Sequence, residues 1–114
     1  MLRDDASLLD VQIAGEKVLS FADGLDLKEL EADEMRMSAI IYQIIIIGEA
    51  TSRLSDEIKD EHPEVPWLKM LGMRNILAHQ YDRVNFKTLW NVIHQSIPEM
   101  LEKIEPLLPQ KESG

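Results

Sequence analysis

Four polar residues with complementary chemistry lie within eight positions of one another: Arg74, Asn75, His79 and Tyr81. Arginine carries a permanent charge on a planar fork that suits phosphate, and histidine titrates near neutral pH. Tyrosine adds a hydroxyl that can be modified, and asparagine adds an orienting amide. Because they interrupt an apolar helical pattern, residues 73–81 are the candidate functional site.

Helical spacing limits how these groups can cooperate. Asn75 and His79 are four residues apart, so they share a face of a helix. Arg74 and His79 are five apart, about 140° around a straight helix. They could meet a common ligand if the arginine wraps around the helix, if the helix unwinds, or if two copies of the chain each contribute groups.

This set of groups suits cleavage of RNA without a metal. The ribose 2′-hydroxyl must lose a proton, the leaving 5′-oxygen must gain one, and charge builds on the phosphate. His79 would transfer protons, Arg74 would hold the phosphate and Asn75 would position either group. The expected product is a 2′,3′-cyclic phosphate, and DNA would not be cut. No pair of histidines or carboxylates near the motif has zinc-like spacing, so neither a metal nor another cofactor is predicted.

Each residue also has a structural interpretation. Arg74 could pair with one of the 21 acidic residues of the chain. His79 could stabilise the C-terminal end of a helix, where a cation is favourable. Tyr81 could pack its ring on the core.

Length and composition predict one domain of 114 residues that needs no disulfide or structural metal. The absence of cysteine excludes a disulfide framework, a thiolate zinc site and a cysteine nucleophile. The charged start does not resemble a signal peptide. The most apolar stretch, residues 40–47, is far shorter than the roughly 20 residues that cross a bilayer. We therefore expect a cytoplasmic protein with no membrane partner.

The net charge of −9 disfavours a passive nucleic-acid coat, because lysine and arginine supply most non-specific affinity for phosphate. Residues 67–91 nevertheless carry a net charge of +3, against −12 for the rest of the chain. Besides Arg74, the basic residues of this window are Lys69, Arg83 and Lys87, which are therefore candidate contacts to RNA phosphates.

The first half of the chain is predicted to form two long helices. Asp4 and Asp5 can cap the first, which ends near Gly24. The second is predicted to run without interruption over residues 34–59, with Asp33 as its cap. Four consecutive isoleucines cover its whole circumference, which predicts burial both in its own bundle and against a second subunit.

Two further helices are predicted in the second half. The connection 60–66 contains two prolines, and Pro66 suits the first position of the third helix, which carries the motif. Asn85 is predicted to cap a fourth helix over residues 86–105, in which Pro98 should produce a kink.

The predicted fold is therefore all-α, an antiparallel bundle of four to five helices in a homodimer. A short helix over residues 25–31, capped by Asp26, would be the fifth. The domain spans residues 1–108, and residues 109–114 are predicted to form a flexible tail.

The motif Arg74-Asn75-x-x-x-His79-x-Tyr81 resembles the R-x4-H-x-Y signature of HEPN-domain ribonuclease toxins of the HepT kind. These are the toxin half of the HEPN/MNT toxin–antitoxin systems. The likeness extends over nearly the whole chain and includes Ile47-Gly48-Glu49-Ala50, Val65-Pro66-Trp67 and Leu89-Trp90.

The resemblance implies a homodimer in which the two motifs face each other across a cleft. It implies that Arg74 and His79 are the ribonuclease residues, with Asn75 in support. It also implies that Tyr81 receives AMP from ATP through the partner antitoxin, a minimal nucleotidyltransferase (MNT). AMP on that hydroxyl would place anionic phosphate where RNA should bind.

Two hypotheses of different classes follow. The first is a toxin that is a metal-independent endoribonuclease. The second is a non-catalytic helical dimer that binds a nucleotidyltransferase partner or a nucleotide, with Tyr81 as the modified acceptor. The intact motif and its local positive charge favour the first hypothesis. Net acidity and the divergence of Arg74 from His79 on a straight helix keep the second as the alternative.

Overall fold

The regular structure in a computed structural model of the chain is helical. The structure describes residues 2–78 and 85–109, with side chains for residues 4–75 and 85–109, and no strand occurs in these ranges. The helices are α1 (Leu2–Ala22), α2 (Leu27–Ala32), α3 (Glu34–Ser52), α4 (Asp56–Glu61), α5 (Trp67–Ala78), α6 (Phe86–Asn91) and α7 (Ile97–Ile104). A π-helical turn, Val92–Ser96, joins α6 to α7, and a 3-10 turn, Glu105–Leu107, follows α7. The predicted all-α bundle is confirmed.

Helix α3 is the centre of the bundle. It packs against α1 on one side and α5 on another, while α7 packs on α1. Its apolar residues explain this position, since Ile40, Ile44 and Ile47 are at most 1% exposed. Ile45 and Ile46 are half-buried within the single chain. The isoleucine run therefore forms much of the core without any second subunit.

Helix α1 buries a narrower face than the sequence pattern indicates. Leu8 and Val11 are fully buried, whereas Leu9 and Ile13 are 36% and 49% exposed. These last two stand one helical turn apart. Two large apolar side chains of α1 are therefore partly exposed in the single chain.

The predicted uninterrupted helix over residues 34–59 is also wrong, because α3 ends at Ser52 and α4 starts at Asp56. The hydroxyls of Thr51 and Ser52 donate to the carbonyl oxygens of Ile47 and Glu49, at 2.7 and 2.6 Å. Such back-bonding satisfies carbonyl groups at the end of a helix. Ser55 then caps α4, since its hydroxyl accepts from the backbone N–H of Ile58 at 3.2 Å.

A buried carboxylate links this break to the start of the chain. Asp4 is only 8% exposed. It accepts the backbone N–H of Ser55 at 2.9 Å and the Ser55 hydroxyl at 2.7 Å. Helix α1 begins at Leu2, so Asp4 lies within its first turn, and the two bonds to Ser55 join α1 to the α3–α4 connection.

The other predicted caps are confirmed. Asp26 forms a capping box with Glu29 at α2, Asp33 accepts from the N–H of Arg36 at α3, and Asn85 caps α6. The predicted fourth helix over residues 86–105 is not continuous, because the π-helical turn Val92–Ser96 separates α6 from α7 and ends two residues before Pro98. Such turns accommodate disturbances of the α-helical hydrogen-bond ladder.

None of the helices among the described residues is long and apolar enough to cross a bilayer.

Candidate functional site

The helix that carries the motif is anchored at its first residue. Trp67 is 9% exposed, and its indole N–H donates to the carbonyl oxygen of His62 at 2.8 Å. The carbonyl of Pro66 accepts the N–H of Met70 at 3.0 Å. Helix α5 begins at Trp67, so Pro66 directly precedes the helix instead of being its first residue as predicted. The tryptophan fixes the direction in which α5 leaves the connection.

Arg74 emerges at the edge of the buried face of α5. Met70 and Met73 on this helix are 0% and 2% exposed. Arg74 follows directly and its side chain is 35% exposed, while Asn75 is exposed. The stem of the arginine thus packs against the bundle, and its charged end reaches the surface.

Gly48 on α3 allows α5 to come unusually close at Arg74. A Cβ atom added at Gly48 would lie 2.5 Å from the Cβ of Arg74 and 2.7 Å from its backbone nitrogen. Real Cβ atoms do not approach other atoms so closely, so only glycine fits between these two helices. The contact fixes where the backbone and Cβ of Arg74 lie against α3, and so where its side chain leaves α5.

The guanidinium of Arg74 lies beside an acidic residue of α3. Its Nη1 is 3.8 Å from Oε2 of Glu49, and the two side chains are 35% and 55% exposed. Glu49 follows Gly48 directly, so the close approach and the ion pair involve adjacent positions of α3. The distance is near the upper limit for an ion pair, which leaves other N–H groups of the guanidinium available for a ligand.

Two of the proposed phosphate contacts lie on different helices. Lys69 and Lys87 are both exposed. Lys69 precedes Arg74 by five residues on α5, which places it about 140° around the helix. Lys87 lies in the first turn of α6, next to its Asn85 cap. Lys69 and Arg74 therefore point in different directions from α5, and one RNA strand would contact both only through different phosphates.

The remaining predicted site residues, His79, Tyr81 and Arg83, lie outside the described residues. The structure thus locates Arg74, Asn75, Lys69 and Lys87, and the roles of all seven stay predictions.

Sequence reasoning gave no separate role to Gly48 or Glu49. A signal was present for the first, because glycine inside a helix costs about 1 kcal/mol relative to alanine and normally has a packing reason. Glu49 belongs to a stretch that resembles the HEPN family, but its residue type and spacing give it no role of its own. Only the crossing of α3 and α5 connects it with Arg74.

The described helices form an all-α bundle, and Arg74 lies at a close crossing of two of them. In the sequence, Arg74 begins an R-x4-H-x-Y motif. Together these features are those of a protein of the HEPN class. Comparison with protein-family models narrows this class. Residues 11–107 match the family described as ribonuclease HepT-like. The chain belongs to this ribonuclease HepT-like family.

Individual relatives agree with this assignment. The chain is 33% identical over 100 residues to a Thermococcus cleftensis protein named Probable ribonuclease HepT, covering 88% of this chain and 91% of that protein. It is 31% identical over 100 residues to Putative RNase MJ1380 of Methanocaldococcus jannaschii, covering 88% and 92%. It is 35% identical over 89 residues to Putative RNase TTE0752 of Caldanaerobacter subterraneus, covering 78% and 79%. No solved structure matches the chain.

Proposed function

We propose that this chain is the toxin of a toxin–antitoxin pair, an endoribonuclease that cuts RNA without a metal and is silenced by modification of Tyr81. Membership of the ribonuclease HepT-like family and the names of its relatives support ribonuclease activity. The toxin role, the metal independence and the silencing are the further steps of the proposal.

The observation that carries the proposal is the placement of Arg74. Its stem is held by the close approach of Gly48, and its side chain as a whole is 35% exposed at the surface of α5. A permanently charged fork with a fixed origin and free N–H groups is suited to hold a phosphate during reaction. An arginine serving only the stability of the fold would gain little from this exposed position.

The proposed reaction is an internal transfer at phosphorus. The 2′-oxygen of one ribose forms a bond to the adjacent phosphorus, and the bond from phosphorus to the 5′-oxygen of the next nucleotide breaks. The 2′-hydroxyl proton passes to a base and a proton is delivered to the 5′-oxygen, which are the roles assigned to His79. Arg74 stabilises the charge on the other phosphate oxygens, and Asn75 orients the imidazole or the phosphate.

A homodimer would supply these groups from two chains. Arg74 and His79 would point in different directions on one straight helix. In a cleft between two copies, groups from both chains could act on the same RNA. Tyr42 on α3 and Leu68 on α5 are 61% and 85% exposed, and such large apolar side chains are suited to contact a second copy.

The ribonuclease step is tested with purified protein and a defined RNA oligonucleotide in excess EDTA. We expect cleavage to continue in EDTA and the 5′ fragments to end in a 2′,3′-cyclic phosphate. An otherwise identical oligonucleotide with a 2′-deoxyribose at the cleaved position should resist, because it lacks the attacking group. Cleavage that stops in EDTA, or that leaves 5′-phosphate ends, would show that the mechanism is wrong.

Silencing is proposed to occur when a minimal nucleotidyltransferase antitoxin transfers AMP from ATP to the Tyr81 hydroxyl. The phenolic oxygen attacks the α-phosphorus of ATP and pyrophosphate leaves. The added phosphate is anionic and bulky, so it would compete with RNA for the cation of Arg74.

The substitution Tyr81→Phe is expected to abolish AMP incorporation while leaving RNA cleavage within about threefold of the unmodified protein, because it removes only the hydroxyl, which has no assigned part in cleavage. Incorporation is measured with labelled ATP and a purified minimal nucleotidyltransferase antitoxin. Tyr42→Phe is the control, since Tyr42 is an exposed tyrosine outside the motif, and this variant should still be labelled at Tyr81. Undiminished labelling of the Tyr81 variant would place the acceptor elsewhere.

The net charge of −9 favours a second candidate, a non-catalytic dimer that binds the nucleotidyltransferase. It predicts a stable complex and normal AMP incorporation with no cleavage of RNA by the free protein. The EDTA assay and the incorporation assay together separate the two functions.

A further inference from the structure

We propose that Glu49 is a positioning residue that holds the guanidinium of Arg74 in the orientation needed to receive the scissile phosphate. This inference rests on the proposed function, since it concerns the same arginine. It assigns a role to a carboxylate that would otherwise count as an unfavourable negative charge beside a phosphate site.

The backbone geometry directs Arg74 towards Glu49. At Gly48, α3 lies directly against the Cβ and backbone nitrogen of Arg74. A Cβ atom added to Gly48 would lie 2.5 and 2.7 Å from these two atoms. The first carbons of the arginine side chain therefore run along the surface of α3. Glu49 is the next residue of that helix, and its Oε2 lies 3.8 Å from Nη1 of Arg74.

The contact leaves most of the guanidinium free. Arginine has five N–H donors in a planar fork, and a phosphate commonly uses two of them on one edge. The contact given for Glu49 is to Nη1, and the donors on Nε and Nη2 form the edge that can make a two-bond contact to phosphate. An anion on one side restricts the rotation of the fork while the other edge remains available to the ligand.

The exposure of the pair explains why it would act on orientation rather than on fold stability. The side chains are 35% and 55% exposed, and exposed ion pairs contribute little to stability because water and salt screen them. A weak, long contact can also loosen when phosphate arrives, so it does not trap the arginine.

A second ion pair of the same kind gives a matched control. Arg53 Nη2 lies 3.3 Å from Asp10 Oδ2, and these side chains are 53% and 52% exposed. This pair joins the C-terminal end of α3 to α1, so it resembles the Arg74–Glu49 pair in chemistry and exposure but involves no residue of the motif.

The kinetic test compares Glu49→Gln with Asp10→Asn on the same RNA oligonucleotide. Glu49→Gln is expected to lower kcat about tenfold, because a misdirected catalytic group costs up to about 100-fold. KM should stay the same or fall, since a negative charge is removed from the vicinity of the phosphate. Asp10→Asn should change neither constant more than twofold.

Coupling to Arg74 distinguishes positioning from an independent effect. In the Arg74→Lys background the fork is absent, so adding Glu49→Gln should cost less than twofold in kcat. A tenfold loss in both backgrounds, or an unchanged kcat in the single variant of an active protein, would overturn the proposal.

A spectroscopic test separates failure of this inference from failure of the proposed function. The NMR relaxation of the Arg74 Nε–Hε group should report restricted motion in the parent protein and in Asp10→Asn, and increased motion in Glu49→Gln. This readout needs no cleavage. Equal mobility in all three proteins would overturn the positioning role even if the protein cuts RNA, and a protein that shows the expected mobility but leaves RNA intact would refute only the ribonuclease.

Discussion

Replacement of Arg74 by alanine is expected to reduce kcat/KM for RNA cleavage by at least about 100-fold, and by up to about 1,000-fold. The physical reason is that removal of one preorganised group that stabilises transition-state charge has an effect of this size. The exposed end of the side chain makes little contribution to the core, so the variant should fold. The measurement is cleavage of a defined RNA in EDTA, with circular dichroism and thermal unfolding to verify the fold.

Arg53→Ala is the control for loss of a positive charge. Arg53 lies at the end of α3 with a 53% exposed side chain paired to Asp10, outside residues 73–81. Its removal should alter kcat/KM by less than about twofold at moderate salt, because a single exposed cation contributes only screened, non-specific attraction. Equal activity of the parent protein and Arg74→Ala would contradict the assigned role. His79→Ala is expected to show a loss similar to that of Arg74→Ala if proton transfer limits the rate.

Gly48→Ala is expected to lower the free energy of unfolding by about 2 kcal/mol and to impair cleavage strongly in the fraction that folds. The added Cβ would lie 2.5 Å from the Cβ of Arg74 and 2.7 Å from its backbone nitrogen. Neither atom is the end of a flexible side chain, so α3 and α5 must separate, and overpacking of this kind costs roughly 1–3 kcal/mol. Urea denaturation and the RNA assay measure the two effects.

Gly72→Ala provides the opposite expectation within α5. A Cβ added there meets nothing within 4 Å among the described residues. The substitution should therefore stabilise the protein by about 0.5–1 kcal/mol through the higher helix propensity of alanine. If Gly48→Ala also proved stabilising, the close crossing of α3 and α5 at Arg74 would be refuted. Comparing the stability of these two variants thus tests the packing of α3 on α5 without any assumption about function.

The capping residues show how far local sequence information reaches. Asp26, Asp33 and Asn85 cap the helices they were predicted to cap, because each cap bonds to backbone groups two or three residues away. Asp4 also bonds to a distant part of the chain, since its carboxylate accepts from the backbone N–H and the hydroxyl of Ser55, 51 residues later in the sequence. A local rule does not reveal a partner at that separation.

The end of α3 also shows a limit of local sequence information. Residues 34–59 contain no proline, and their apolar spacing persists, so periodicity favours one long helix. The sequence also contains a cap signal at Ser55 that competes with this pattern. Asp4 contributes to the outcome by binding the backbone N–H and the hydroxyl of Ser55, a contact that periodicity cannot reveal.

The sequence by itself determined the all-helical class, the buried isoleucine face of α3 and the residue types of the motif. These follow from spacing and chemistry along a few turns of chain. Only the tertiary structure decided that Gly48 touches Arg74, that Glu49 pairs with it, and that Leu9 and Ile13 face outwards. The reason is physical, because each of these facts depends on how two helices cross, and the crossing results from the packing of all the side chains between them.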